Sequence, residues 1–185
     1  MRDTQLQRVL VGRHTVPVWA ANLLLALAYF VAARFGLLLA SLHYNVSPVW
    51  PATGLAVAAV WLGGNRLLPG VLCGAFAANF FTPVPWWGAA SIALGNTTEA
   101  WLGAWLLHRA GGWYRWFHDL AEPTGYLVAG MVAALASASV GVVALWMSGS
   151  AQAEALPTLW LTWWSGDALG ALLITPVLQI LTVPG

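Results

Sequence analysis

The chain has 185 residues, of which 60% are hydrophobic and only 7% are charged, and its mean hydropathy is +0.75. Soluble domains carry about 25% charged residues, so this composition excludes that class and predicts an integral membrane protein. The net charge is +1 and lysine is absent, which excludes a nucleic-acid footprint and a polybasic lipid-binding tract.

Six apolar segments reach, or nearly reach, the length of a membrane span. They are 17–40, 49–63, 67–81, 86–108, 120–147 and 156–182. The second and third have only about fifteen residues, roughly 22 Å of helix, so we expect them to form a tight hairpin supported by neighbouring helices. The sequence therefore predicts an all-α polytopic bundle of about six transmembrane helices, filling residues 17–182.

Arginine placement predicts the orientation of this bundle. Six of the seven arginines fall on one side of a six-crossing layout: Arg2, Arg8, Arg13, Arg66, Arg109 and Arg115. The positive-inside rule makes that side cytoplasmic, together with both termini. Residues 1–16 are then a cytoplasmic segment, and we expect no signal-peptide cleavage, because the apolar run that follows is too long. Arg34 alone lies inside a helix.

The last segment combines aromatic and acidic side chains at helical spacing. Trp160, Trp163, Trp164 and Asp167 follow i, i+3, i+4 and i+7, which predicts that they share one helix face. A carboxylate at this depth costs about 2.5 to 3.5 kcal/mol, so Asp167 should face the bundle interior and have a partner. The pattern fits a buried signal or ligand site, and it equally fits an Asp that pins two helices together.

Other polar residues fall at similar depths in the predicted helices. Arg34 comes within side-chain reach of the level of Asp167, and we expect these two to pair. Asn96 and Glu99 share a helix face at i, i+3. Glu99 then either shares Arg34, holds a proton or binds something from outside, and Asn79 is placed to extend this network.

Two further patterns concern the backbone. In SPVWPATG, Trp50 lies between Pro48 and Pro51, with Thr53 and Gly54 opening the next helix, and this bent stretch either lines a cavity or anchors an interface. The pairs Gly70 with Gly74 and Gly166 with Gly170 allow close helix approach. We expect these glycines to pack helices of one chain rather than to form a dimer, although a homodimer stays open.

Several of these motifs resemble one bacterial family. Trp50-Pro51 with Gly54, Pro69-Gly70 with Gly74, Asn79, Gly95-Asn96 with Glu99, and Trp164, Gly166-Asp167, Gly170 and Pro176 are similar, in order, to the membrane-associated sensor domain MASE1. The resemblance implies a multi-pass input domain of the bacterial inner membrane, placed before a histidine kinase, diguanylate cyclase or phosphodiesterase. Residues 183–185 would then lead to an effector or to further helices.

The sequence favours a sensory domain that detects a ligand, a lipid or a membrane partner and signals to a cytoplasmic effector. The alternative is a small-molecule-binding component of an uptake transporter, whose size and helix number are similar. No catalytic motif such as HExxH or GxSxG occurs, so we expect neither enzyme activity nor a cofactor. The four histidines, His14, His43, His108 and His118, fall away from the intramembrane carboxylates, which disfavours haem ligation.

Overall fold

The computed structural model describes residues 8–11, 14–40, 46–109 and 122–182, and these ranges form a helical bundle. The helices are α1 (Val18–Leu38), α2 (Pro51–Gly63), α3 (Leu68–Phe80), α4 (Trp86–Arg109), α5 (Glu122–Met147) and α6 (Leu156–Thr182). Expectations for Arg2, Arg13, His43, Arg115, His118 and residues 183–185 lie outside the described residues. The predicted all-α class is confirmed.

A short hairpin precedes the bundle and was not expected from the sequence. Strands β1 (Arg8–Val11) and β2 (His14–Pro17) pair in antiparallel register, with Arg8 opposite Pro17 and Val11 opposite His14. Pro17 ends β2, and α1 begins at the next residue. Proline has no amide hydrogen and does not fit inside a helix, so it suits this boundary. The hairpin thus leads directly into the first helix.

Proline and glycine fix both ends of α2. The helix starts at Pro51, since proline suits the first turn, whereas the residue before it, Trp50, is extended with ψ 85°. It ends before Gly64, whose φ of 79° lies in the left-handed region that glycine adopts without strain. A 3-10 turn over Asn65–Leu67 then leads into α3.

Three helices are long and apolar enough to cross a membrane within the described residues: Val18–Leu38, Gly125–Met147 and Ala153–Leu181. The helices α2 and α3 have 13 residues each, about 20 Å at helical rise. The fourth helix has 24 residues, but its middle carries the polar run Asn96 to Glu99. The count of six crossings therefore stays a prediction.

The six helices close into a ring. In spatial order, α1 contacts α3, α3 contacts α4, α4 contacts α5, α5 contacts α6, α6 contacts α2, and α2 returns to α1. A further contact joins α2 and α4 across the middle. The centre of the bundle is therefore formed mainly where α2, α4 and α6 meet.

Paired contacts give the relative direction of the helices. They are Asn22–Gly70 and Ala26–Gly74 for α1 and α3, Thr53–Glu99 and Val57–Gly103 for α2 and α4, Trp50–Gly166 and Gly54–Thr175 for α2 and α6, and Gly95–Val140 and Gly103–Ala133 for α4 and α5. In the first three helix pairs, the residue numbers of both helices increase from the first contact to the second. In the pair of α4 and α5, the number increases in α4 and decreases in α5. Thus α1 and α3 are parallel, α2, α4 and α6 are parallel, and α5 opposes α4.

Both predicted small-residue pairs pack helices within the chain, as expected. A Cβ on Gly70 or Gly74 would meet the backbone of Asn22 or Ala26 on α1. On α6, a Cβ on Gly166 or Gly170 would collide with the carbonyl of Ser47 or Trp50. Close backbone approach of this kind is the usual role of small residues in membrane helices.

Candidate functional site

Eight side chains with polar atoms meet at the centre of the bundle, and we call this group the central cluster. Its members are Tyr29 from α1, Trp50 and Thr53 at the start of α2, Asn96 and Glu99 from α4, Ser137 from α5, and Trp163 and Asp167 from α6. None of them is more than 6% exposed. The outer surface, in contrast, carries large apolar side chains: Leu38, Trp19 and Met147 are 68 to 81% exposed. The molecule thus buries its polar groups and presents apolar ones.

Two carboxyl groups share one hydroxyl within the central cluster. Thr53 Oγ1 lies 2.9 Å from Asp167 Oδ1 and 3.3 Å from Glu99 Oε2. The two carboxyl groups also face each other, and they are 0% and 1% exposed. Because Thr53 is in the first turn of α2, this single hydroxyl links α2 to both α4 and α6.

A second hydroxyl, on Ser137, joins α4, α5 and α6. Ser137 Oγ donates to Asn96 Oδ1 at 2.7 Å and accepts from Trp163 Nε1 at 3.1 Å. The Trp163 ring reaches this position because Gly141 has no side chain: a Cβ there would lie within 2.8 Å of the ring. Gly141 therefore creates the space on α5 that the indole ring occupies.

The third part of the cluster joins the middle of α1 to the start of α2 and to α4. The hydroxyl of Tyr29 faces the Trp50 indole and the Asn96 side chain, without hydrogen-bonding geometry to either. Five buried polar atoms of the cluster have no hydrogen-bond partner in the described part of the chain: Tyr29 Oη, Trp50 Nε1, Asn96 Nδ2, Glu99 Oε1 and Asp167 Oδ2. Buried polar groups in native proteins are normally satisfied, so this concentration marks the cluster as unusual.

The bent stretch before α2 is held against α6 by its backbone. Trp50 N donates to Gly166 O at 3.0 Å, and Thr175 Oγ1 donates to Gly54 O at 3.1 Å. Ser47 Oγ donates to Val49 O at 2.9 Å and supports the turn locally. Trp50 is buried, and a Cβ on Gly36 would lie 2.8 Å from its ring. The stretch is thus an ordered part of the core and brings Trp50 and Thr53 to the cluster, not a surface anchor.

The expectation that Arg34 pairs with Asp167 is wrong. Arg34 is exposed, whereas Asp167 is fully buried and contacts Thr53. The buried face of α1 runs through Leu25, Tyr29, Ala33 and Gly36, so helical periodicity turns Arg34 outward. Among the described residues, therefore, neither carboxyl group has Arg34 or another cation against it.

The predicted tryptophan face of α6 divides into two. Trp163 and Asp167 point into the central cluster, as expected. Trp160 and Trp164 stack on each other at 6.1 Å and donate to α5, at Ser139 Oγ and Met131 O respectively. Trp164 is therefore placed between α6 and α5 and is not a member of the cluster.

The remaining predicted residues occupy structural positions. Asn79 is buried on α3 and donates to Ala75 O at 2.9 Å, one turn earlier. Pro176 lies inside α6 and begins the last part of that helix. Sequence reasoning missed Tyr29 and Ser137 as cluster members and did not assign Thr53 a role there. Their signals were weak, because a lone Tyr, Ser or Thr is common in apolar helices.

The described residues contain no group of three His, Cys, Asp or Glu side chains that could hold a metal ion. What the cluster offers is a pair of carboxyl groups together with hydroxyl, amide and indole groups. Such a set binds small polar or ionic species by hydrogen bonds and charge.

Comparison with known proteins identifies the family. The family model of MASE1 matches residues 21–183, which is nearly the whole chain. No curated protein and no solved structure matches the chain significantly. MASE1 domains are membrane-associated sensory input domains and not catalytic ones. The chain therefore belongs to the MASE1 family of membrane-associated sensory domains.

Proposed function

We propose that this chain is the input domain of a bacterial signalling protein in the inner membrane and that the central cluster is its signal site. One observation carries the proposal: five buried polar atoms without described partners converge where five helices meet. A purely structural pin would satisfy its own hydrogen bonds, since each buried unsatisfied group costs about 1 to 3 kcal/mol. Retaining several of them in one place favours a site whose occupancy changes.

The position of Asp167 supports a route for the signal. Asp167 is on α6, the helix nearest the C-terminus, and the same helix is joined to α2 through Trp50, Thr53 and Gly54. A change of charge or occupancy at Asp167 would favour one packing of α6 over another. Coupling of this kind requires that the ligand bind the two packings with different affinity.

The arginines support the proposed orientation. Arg66 follows α2 and Arg109 ends α4, and these two helices are parallel, so both arginines lie at the same end of the bundle. We propose that this end faces the cytoplasm. An effector of the histidine kinase or cyclic-di-GMP type, in the same chain or in a partner, would receive the signal there.

Cavity size supports sensing over uptake of a vitamin-sized molecule. A small, partly open cavity between α2, α4, α5 and α6, lined by Val57, Gly103 and Tyr126, has a volume of about 10 Å³. Sites for drug-sized ligands have about 300 Å³ or more, whereas about 10 to 15 Å³ is enough for one water molecule. The cavity next to the central cluster therefore suits a ligand of very small size. A larger open groove of about 450 Å³ between α4 and α5, lined by Trp87, Ser139 and Val143, is lined by no residue of the cluster.

A chimeric receptor tests the proposal. Thr182 would be joined in helical register to the cytoplasmic core of a reporter histidine kinase, and kinase output would be followed while medium pH, salt and osmolytes are varied. We expect the chimera to respond to at least one condition, and we expect D167N and E99Q each to reduce that response at least tenfold with unchanged membrane levels. The control is E154Q, which removes an exposed carboxylate outside the cluster. A response that survives in both variants would remove the cluster from the signalling role.

A further inference from the structure

The hydrogen count around Thr53 constrains the charge of the central cluster. The Thr53 hydroxyl has one hydrogen, but its oxygen lies within hydrogen-bond distance of both Asp167 Oδ1 and Glu99 Oε2. It donates that hydrogen along the shorter contact, to Asp167. The contact to Glu99 is then attractive only if the Glu99 carboxyl carries a hydrogen of its own and donates it to Thr53 Oγ1.

The surroundings of the two carboxyl groups support the same conclusion. Desolvated carboxylates that face each other repel strongly, and a pair that shares one proton avoids this repulsion. Among the described residues, the groups that face the pair are the hydroxyls of Thr53 and Ser137 and the indole of Trp163. Tyr29, from α1, is the one other titratable group there, and it too is neutral when protonated. Within the described part of the chain, no neighbouring cation replaces the proton.

The lack of space around the carboxyl pair also favours a proton as the ligand. Asp167 is 0% exposed, Glu99 and Tyr29 are 1% exposed, and Asn96 is 3% exposed, so the pair is closed on all described sides. A proton is the ligand that enters such a packed centre without needing added volume. It arrives from water and leaves as a hydronium ion, so that binding changes the charge of the cluster by one and breaks no other covalent bond.

We propose that Glu99 and Asp167 together form a proton-binding site that holds one exchangeable proton in the conformation described above. This inference deepens the proposed function, on which its signalling role rests: the ligand of the signal site is a proton. When the proton leaves, the contact from Glu99 to Thr53 becomes repulsive, and α2 and α4 are pushed apart at the point where α6 is attached.

Infrared spectroscopy of the full chain in lipid nanodiscs tests the proton site directly. A protonated carboxyl has a carbonyl stretch separate from the carboxylate and amide bands, and this band shifts to lower frequency in D₂O. We expect a band equivalent to one carboxyl per chain near neutral pH, and its disappearance as the pH is raised. E99Q and D167N should each shift its frequency, the double variant should lose it, and E154Q should leave it unchanged.

Two results would overturn the proposal. One is the absence of a protonated carboxyl band near neutral pH in wild-type protein, a result that needs no variant to fold. The other is loss of the band on replacing choline with Na⁺, which would assign the pair to a metal cation. The chimera separates this test from the proposed function: a normal band with no signalling response would leave the proton site intact and reject the sensory role.

Discussion

Two polar sites between helices of this bundle are built on opposite principles. At the contact of α1 with α3, every polar side-chain atom of Asn22 has a partner: Nδ2 donates to Val18 O and Arg66 O, both at 2.9 Å, and Oδ1 accepts from Gly70 N at 2.6 Å. In the central cluster, five polar atoms have no described partner. The same protein therefore satisfies one half-buried amide fully and leaves buried polar atoms at its carboxyl pair without described partners.

The difference distinguishes a polar contact that only holds two helices together from a candidate binding site. The Gly70 amide is in the first turn of α3, where backbone N–H groups lack helical partners, so Asn22 caps that helix from a neighbouring one. Its role ends with packing. The carboxyl pair stabilises no comparable set of donors, which is why we assign it a ligand.

The contact of Gly170 with the stretch before α2 should be the least tolerant of change. We expect G170A to lower the free energy of unfolding by about 3 kcal/mol, because the new Cβ would overlap the Trp50 carbonyl oxygen, which is backbone and cannot rotate away. Unfolding by SDS in mixed micelles measures the change. The matched control is G130A on α5, where the nearest atom would lie 3.5 Å away, an ordinary contact. Equal stability of the two variants would contradict this account of the packing.

Removing the satisfied amide should cost more than neutralising the carboxyl. We expect N22L to lower the free energy of unfolding by about 2 kcal/mol, since Gly70 N and Arg66 O lose their partner. D167N keeps an oxygen facing Thr53 and removes a buried charge, so its effect should be below about 1 kcal/mol. Both are measured in the same unfolding assay. If D167N proved the more destabilising of the two, Asp167 would be a structural pin after all.

Two tyrosines that are buried in the described part of the chain offer the finest comparison. Tyr126 Oη donates to Ala171 O at 2.8 Å, whereas Tyr29 Oη has no described partner. We expect Y126F to lower the free energy of unfolding by about 1 kcal/mol and Y29F to leave it unchanged or slightly higher. A double-variant measurement should show additivity, because the two hydroxyls belong to different contacts. A larger loss for Y29F would show that its hydroxyl is bonded in the native protein.

Much of the fold could be predicted from the sequence. The boundaries of the six apolar segments agree with the six helices to within a few residues, because proline and glycine mark the ends of α2 and apolar runs mark the rest. The glycine pairs at 70 and 74 and at 166 and 170 correctly predicted close packing within the chain. The N-terminal hairpin was missed, since four-residue strands leave little pattern in a sequence.

The site was only partly predictable, and the failures have physical reasons. Depth along a helix follows from residue number, so Asn96, Glu99 and Asp167 were correctly placed at similar levels and come together. Which side chains of a helix face the cluster depends on the rotation of that helix about its axis. A sequence predicts this rotation poorly when the helix is apolar all round, as α1 is. Arg34 therefore turned out to be exposed. Tyr29 and Ser137 join the cluster through neighbours that no sequence spacing reveals.

Pro176 gives α6 a mechanical property that its length alone would not. Thr175 fastens α6 to the Gly54 carbonyl, and the next residue has no amide hydrogen for the carbonyl of Leu172. The final turns, 177–182, are therefore joined to the rest of α6 by one peptide hydrogen bond fewer, which makes a change of angle at this point easier. If the central cluster is the signal site, a shift of α6 at Asp167 would reach residues 177–182 as a change of helix angle at Pro176.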